Sequence, residues 1–454
     1  MKKVYVVHCV DTEGPLNETL EATFERLKHI YHLDLKPSEQ LLKKLQKGKV
    51  DLNGLENSVK NTLNPHYLNY NNNWDKIDDM LMDCLSENFR NKFLDSNGKG
   101  WIYNWHCVDH VDFTYNPRSR KIGYHEIFDH YKNVLTETKS KQDGLHFHYH
   151  PHPMVKHAHL CATRWLGPTD KLFQVLSRRI IDRAWFPSTN RPGFQVTRPD
   201  SHWFLEQFIP FDYASLSLEK SNEYEDQFDL SAGRSGDWRR APVTWEPYHP
   251  AHDDYQSRGD CKRWIARCLN VGTRFANINL TEVDRAFKEA QEGKSVILSF
   301  ADHDFRDLRK DVEEAYYLIK TVSNKYPKVQ YEFAEATEAM RKSLNLKNIG
   351  ACKLEINLKK LNDKAHVLEI ISDKDIFGTQ PYLAIKTKNK DYFHDNLDFQ
   401  IPKRRWTYTF DEETLKLEQI EKIGLAVNSP TGETTVSNID INLGKNETTY
   451  LNSR

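Results

Sequence analysis

The sequence predicts an α/β region over residues 1–343 followed by an all-β region over 346–454. Three features carry this. Val4 to Val10 is a continuous apolar run, as expected of a strand buried on both faces. Strand-like runs then alternate with segments of helical period, which implies a parallel sheet. Near Leu346 the texture changes to short alternating runs with turn residues between them, the pattern of a small β-sandwich.

The first strand delivers Asp11-Thr-Glu13-Gly-Pro15 at its C-terminal end, where parallel sheets place their chemistry. Residues 16–73 read as an insertion with a short helix over Pro37–Lys47 and an Asn-rich end, a surface excursion or a lid. Trp74 to Phe93 carries Ile77, Met80, Leu81, Cys84, Leu85 and Phe89 at spacings of three and four, which predicts an amphipathic helix. A strand over Trp101–Cys107, a helix over Tyr124–Glu137, a histidine-bearing strand and a helix over Thr169–Ala184 follow. Asn190 to Asp200 reads as a loop, with a short helix from Ser201. Ser231 to Pro250 reads as a long covering loop. Helices are expected over Cys261–Leu269, Thr281–Glu292, Arg306–Lys325 and Ala334–Ser343, with strands over Ser295–Phe300 and Val329–Phe333. In the C-terminal region Cys352–Leu358 and Thr435–Ile441 alternate, and Asn428-Ser-Pro-Thr-Gly432 is a turn.

The 454 residues carry a net charge of −1 and are 38% hydrophobic and 12% aromatic, so a folded protein of two or three cores is expected. The near-neutral balance gives no footprint for nucleic acid or an acidic membrane surface. No apolar run approaches the roughly 20 residues of a membrane span. Lysines precede the first apolar run as in a signal peptide, but the run is short and ends in Asp11, so a cytoplasmic protein is expected. The seven cysteines are scattered without a CxxC pair, which argues against a zinc ribbon or a disulfide framework. Any metal should be held by His and carboxylate.

The stretch Asp143-Gly-Leu-His-Phe-His-Tyr-His-Pro-His-Pro153 points to such a metal. His146, His148, His150 and His152 occupy every second position, and alternate residues of a strand share a face. Neutral imidazole is the commonest protein ligand of transition metals. With Asp11/Glu13 and the Asp302-His303-Asp304 strand end, three strand termini offer ionisable groups, and a loop adds Arg191.

In that order these motifs resemble those of the NodB-homology polysaccharide deacetylases (carbohydrate esterase family 4). Asp11-Thr-Glu13 is similar to the family's acidic first motif, Gly144-Leu-His146-Phe-His-Tyr-His150-Pro151 to its Gly-x-His-x-x-x-His-Pro, and Asn190-Arg191-Pro-Gly193 to its arginine motif. Asp237-Trp238 and Leu298-Ser-Phe-Ala-Asp-His303 are similar to the fourth and fifth. The resemblance covers about residues 1–343 and implies an incomplete (β/α)7-type barrel. It implies Asp11 as catalytic base, Glu13 with His146 and His150 as metal ligands, Arg191 as partner of the base, Asp237 near the site and His303 as general acid. A shifted register, His148 and His152, also fits, Arg198 is a second choice for the arginine, and Asp302 or Asp304 is expected to orient His303. Glu13 and Asn190 depart from the family's usual Asp and Phe.

The implied activity is removal of an N-acyl group, most simply acetyl, from an amino sugar or glycan precursor of surface-polysaccharide biosynthesis. A divalent ion, Zn²⁺ by its ligand preference, would be the cofactor. The partner is then a carbohydrate substrate, and a homo-oligomer is allowed. Two other readings remain: hydrolysis of a small non-sugar amide or imide, and a non-catalytic glycan-binding relative.

Overall fold

The computed structural model describes residues 2–158, 165, 171–219 and 236–452. β1 (Lys3–Thr12) is the hub of its larger sheet, and nearly every residue of it is buried. Around it run β2 (Tyr103–Cys107), β3 (Gly144–Tyr149), β4 (Thr189–Pro192), β5 (Phe211–Ser215), β6 (Trp264–Asn270) and β7 (Val296–His303), all parallel. β7 pairs with β1, and β1 pairs through His8–Thr12 with β2, so the seven strands close into a ring. The expected open barrel is therefore a closed one. An eighth parallel strand, β8 (Gln330–Phe333), pairs with Lys3–Val6 of β1, the half of that strand which β2 leaves free.

The segment read as an insertion folds into α1 (Leu20–Tyr31), α2 (Glu39–Gln46), α3 (Glu56–Thr62) and α4 (Pro65–Leu68). These bury a cluster of their own built on Phe24, Leu27, Ile30, Leu45, Val59 and Leu63. The helix expected over Trp74–Phe93 is two helices, α5 (Trp74–Cys84) and α6 (Glu87–Arg90). Ser86 separates them, its hydroxyl accepting from Phe89 N at 3.1 Å as the N-cap of the second. α7 (Glu126–Glu137), α8 (Lys171–Arg183), α9 (Pro199–Phe208), α10 (Leu280–Gln291), α11 (Leu308–Ser323) and α12 (Ala336–Ser343) complete the helices between the described strands.

Two further segments differ from expectation. Cys261–Leu269, expected as a helix, contributes most of β6. Its residues from Ile265 to Asn270 are buried between two strands, where no helical stripe is needed. The loop expected from Asn190 begins as β4, which ends at Pro192 because proline brings no N–H to a ladder. Thr169 and Asp170 of an expected helix, and residues 231–235 of the expected loop, lie outside the described residues.

After Leu346 the described residues form nine antiparallel strands: β9 (Leu354–Asn362), β10 (Ala365–Ser372), β11 (Tyr382–Thr387), β12 (Tyr392–Asp395), β13 (Asp398–Ile401), β14 (Arg405–Phe410), β15 (Ile420–Asn428), β16 (Thr434–Asp440) and β17 (Lys445–Leu451). They form a four-stranded sheet, β13-β14-β10-β9, and a five-stranded one, β12-β11-β15-β16-β17. Leu368, Ile370, Trp406 and Tyr408 of the first meet Leu383, Ile385, Ile423 and Leu425 of the second in one core. The intervening residues Tyr382, Ala384 and Ala426 point the other way, onto Val175, Leu176, Ile180 and Ile181 of α8. The five-stranded sheet thus has both faces covered. At Gly424 the approach to α8 is so close that a Cβ would lie 2.5 Å from Ile180 Cγ2.

Candidate metal centre

Strand register assembles the site before any side-chain detail is considered. Asp11 of β1 stands level with His303 of β7, and His148 of β3 stands level with Arg191 of β4. Paired residues share a face of the sheet. Glu13 follows Asp11 by two and His150 follows His148 by two, so both lie at the same C-terminal mouth of the barrel.

There His148 Nε2 and His150 Nε2 are 3.0 Å apart, His150 Nε2 is 3.1 Å from Glu13 Oε1, and His148 Nε2 is 3.7 Å from it. Tetrahedral ligands at about 2.0–2.1 Å from one zinc ion are separated by roughly 3.3 Å. The triangle is of that size, and all three residues are buried. His148 Nδ1 lies 2.7 Å from Arg191 O. A carbonyl only accepts, so Nδ1 carries the hydrogen and Nε2 keeps its lone pair for an ion. Glu13, His148 and His150 could therefore hold a metal ion.

The supports of the triad are equally specific. Glu13 Oε2 pairs with Arg120 Nη2 at 2.6 Å. Burial pushes the Glu13 carboxyl up, but Arg120 and the two imidazoles outweigh it and hold the group well below the ordinary carboxylate range. Burial pushes both imidazoles down. At His148 the Asp11 and Glu13 carboxylates more than offset this; at His150 Glu13 does not, because His148 and Arg120 add to the downward push. Asp304 accepts from Glu13 N, Gly14 N and Tyr131 Oη, each at 2.9 Å, and fixes the turn that presents Glu13. Gly193 faces the His150 ring so closely that a Cβ there would overlap it.

Beside the triad, the fully buried Arg191 donates from Nε to Asp11 Oδ1 at 2.8 Å and from Nη1 to Tyr213 O at 3.2 Å. His303 Nε2 lies 3.9 Å from Asp11 Oδ2 and 3.8 Å from Glu13 Oε1. Burial pushes the His303 imidazole down to about 4, against the pull of Glu13 and Asp11.

Neither expected histidine register is the one that converges; each contributes one residue. β3 ends at Tyr149, so His150 leaves the pleat and its ring swings to that of His148. His146 stays inside the barrel, its Nε2 3.0 Å from Glu335 Oε1 and 3.2 Å from Asn104 Oδ1. His152 turns to Val111 O at 2.8 Å and Tyr149 Oη at 3.1 Å. Asp237 is half-buried just before a turn, paired with Arg239 at 2.8 Å, and is not among the residues that line the site. Its neighbour Trp238 is buried and donates to Gln195 O at 2.9 Å, bracing the turn that carries Gly193. Arg198 is the N-cap residue of α9. Asp302 binds His8 at 2.9 Å, so neither it nor Asp304 orients His303.

Asp11, Glu13, His148, His150 and His303 line a cavity of about 170 Å³. Leu16, Arg26 and Tyr70 of the helical insertion wall it, as do Arg118 and Arg120. Nothing in the sequence pattern singled out Arg120, which sits in an aperiodic loop. A larger groove of about 470 Å³ runs between α8, α9 and β12, lined by Phe173, Trp203 and His394. It touches none of these groups, so chemistry rather than size locates the site. Outside the barrel mouth, Glu25, His29 and His157 form a second His/Glu group, with His29 exposed.

The chain matches no family model, no curated protein and no solved structure. The six described cysteines are buried and unbridged, and no described helix is long and apolar enough to cross a membrane.

Proposed function

We propose that this chain is a metal-dependent hydrolase, a divergent relative of the polysaccharide deacetylases, which removes an N-acyl group from an amino sugar or glycan precursor. The observation that carries this reading is the meeting, at one barrel mouth, of a two-histidine, one-carboxylate triad with an arginine-bound aspartate and a separate histidine. Two imidazoles and a carboxylate suit zinc and leave room for water and a carbonyl oxygen. A bound ion would lower the pKa of water towards about 7 and polarise the acyl carbonyl.

Arg191 occupies Oδ1 of Asp11 and leaves Oδ2 toward the cavity, placed to take the proton of the attacking water. Oxygen adds to the acyl carbon, the C–N bond breaks, and the departing nitrogen needs that proton. Burial keeps His303 neutral near neutral pH, so its ring must be loaded first. The proton held at Asp11 Oδ2, 3.9 Å from His303 Nε2, is the nearest supply.

Metal analysis and acetate release from N-acetylated amino sugars test the reading. About one divalent ion bound by wild type, lost in His150→Ala together with hydrolysis, is expected. Turnover of a cyclic imide with no acylated sugar cleaved would replace the sugar substrate by a small amide. A metal-free wild type with no hydrolysis would leave a binding protein.

A further inference from the structure

Among the described lining residues of the cavity over the triad, arginines outnumber carboxylates. Among the described residues, Arg26, Arg118, Arg120, Arg274 and Arg306 line it together with the carboxylates of Asp11 and Glu13, and Arg26 and Arg274 have further partners. Arg26 and Arg118 share Glu18, at 2.9 and 2.5 Å. Arg120 is ion-paired through Nη2 with Glu13 Oε2, but its Nε and Nη1 are buried without an acceptor, and the side chain is only 6% exposed. Arg306 donates Nη1 to Gly272 O at 2.6 Å, and its Nε is likewise buried without an acceptor. Buried donors left open in this way are rare in folded proteins. Phe305 holds both in place, its ring centre 4.9 Å from the Arg120 guanidinium and 5.9 Å from that of Arg306. Fixed planar guanidinium groups are the preferred partners of multi-oxygen anions.

We propose that the substrate carries an oxyanion, phosphate or carboxylate, close to the acylated nitrogen, and that Arg120 and Arg306 receive it while the triad faces the acyl group. As a statement about substrate this rests on the hydrolase reading; as a binding site it does not. At about 170 Å³ the cavity is smaller than the roughly 300–1,000 Å³ of drug-sized sites, which suits a compact anionic head group.

Calorimetric titration of chelator-treated full-length protein with pyrophosphate, and separately with succinate, tests this without a metal for the anion to ligate. At least one of the two should bind wild type, and Arg306→Gln and Arg120→Gln should each weaken it about tenfold or more. Affinity should fall further as salt rises. Binding of pyrophosphate alone assigns the group as phosphate, and of succinate alone as carboxylate. No binding of either anion to wild type, or binding unchanged in Arg306→Gln, overturns the proposal. Arg306 does not touch the triad, so that variant decides the matter should Arg120→Gln fail to fold. Anion binding without any acyl hydrolysis would keep this site and remove the hydrolase; hydrolysis of neutral amides without anion binding would do the reverse.

Discussion

Replacing His146 by alanine should destabilise the protein and leave its metal in place. His146 is buried, with Nε2 3.0 Å from Glu335 Oε1. Burial raises the Glu335 carboxyl. The hydrogen bond and charge of His146, with the N–H groups of Thr337 and Glu338, outweigh it and bring the group from 4.5 to about 2. At about 1.4 kcal/mol per pH unit this is about 3 kcal/mol of folded-state preference, on a side chain only 18% exposed. A depressed carboxyl stabilises fully above its unfolded value near 4.5, and that stabilisation disappears as pH falls through about 2, with more than half gone by pH 3. Alanine keeps the backbone donors but removes the imidazole and leaves a hole, so a loss of about 2–3 kcal/mol is expected at pH 7. Calorimetry in chelator should show a melting temperature lower by ~2–3 °C. The gap to wild type should narrow between pH 5 and pH 3, and metal analysis should give wild-type content. An His146→Ala protein that has lost its ion, or that melts with wild type at pH 7, would refute the assignment of this histidine to the barrel interior.

Other outcomes follow from the same geometry. His303→Gln should keep the metal, since His303 is outside the triad, while acetate release falls by about 10²–10⁴; loss of the ion would make it a ligand instead. Gly193→Ala puts a methyl group against the His150 ring and should weaken metal binding about 10–100-fold in competition with a chromogenic chelator. Unchanged affinity would mean that His150 is free to move aside. Gly424→Val pushes β15 off Ile180 and should cost about 1–3 kcal/mol in thermal stability with metal content untouched.

The parts of this protein that follow short-range rules were legible in the sequence. The helix α11 and the switch to alternating β runs obey a simple period, β1 showed as an unbroken apolar run opening the chain, and the segments bearing Asp11, Glu13 and His303 were found from motifs at strand ends, that of Arg191 from a motif in an expected loop. β6 was misread because a strand buried on both sides has no period to separate it from a buried helix. β5 went unseen, being five residues long beside a proline. The choice among four histidines could not be made from spacing. It depends on where the pleat of β3 stops and on Glu335, 189 residues away from His146, arriving inside the barrel from the end of β8 to claim it. Arg120 and Asp304 act through contacts that only the folded chain creates.

The doubly covered five-stranded sheet has a practical corollary. Cutting the chain after Ser343 would bare the outer side of α8, where Val175, Leu176, Ile180 and Ile181 now lie against Tyr382, Ala384 and Ala426. It would also strip Asn428 from the carbonyls of Pro187 and Phe208, at the feet of β4 and β5. Such a truncated barrel should clump rather than fold. The last hundred residues are a wall of the barrel and not an appendage that can be removed to study the rest.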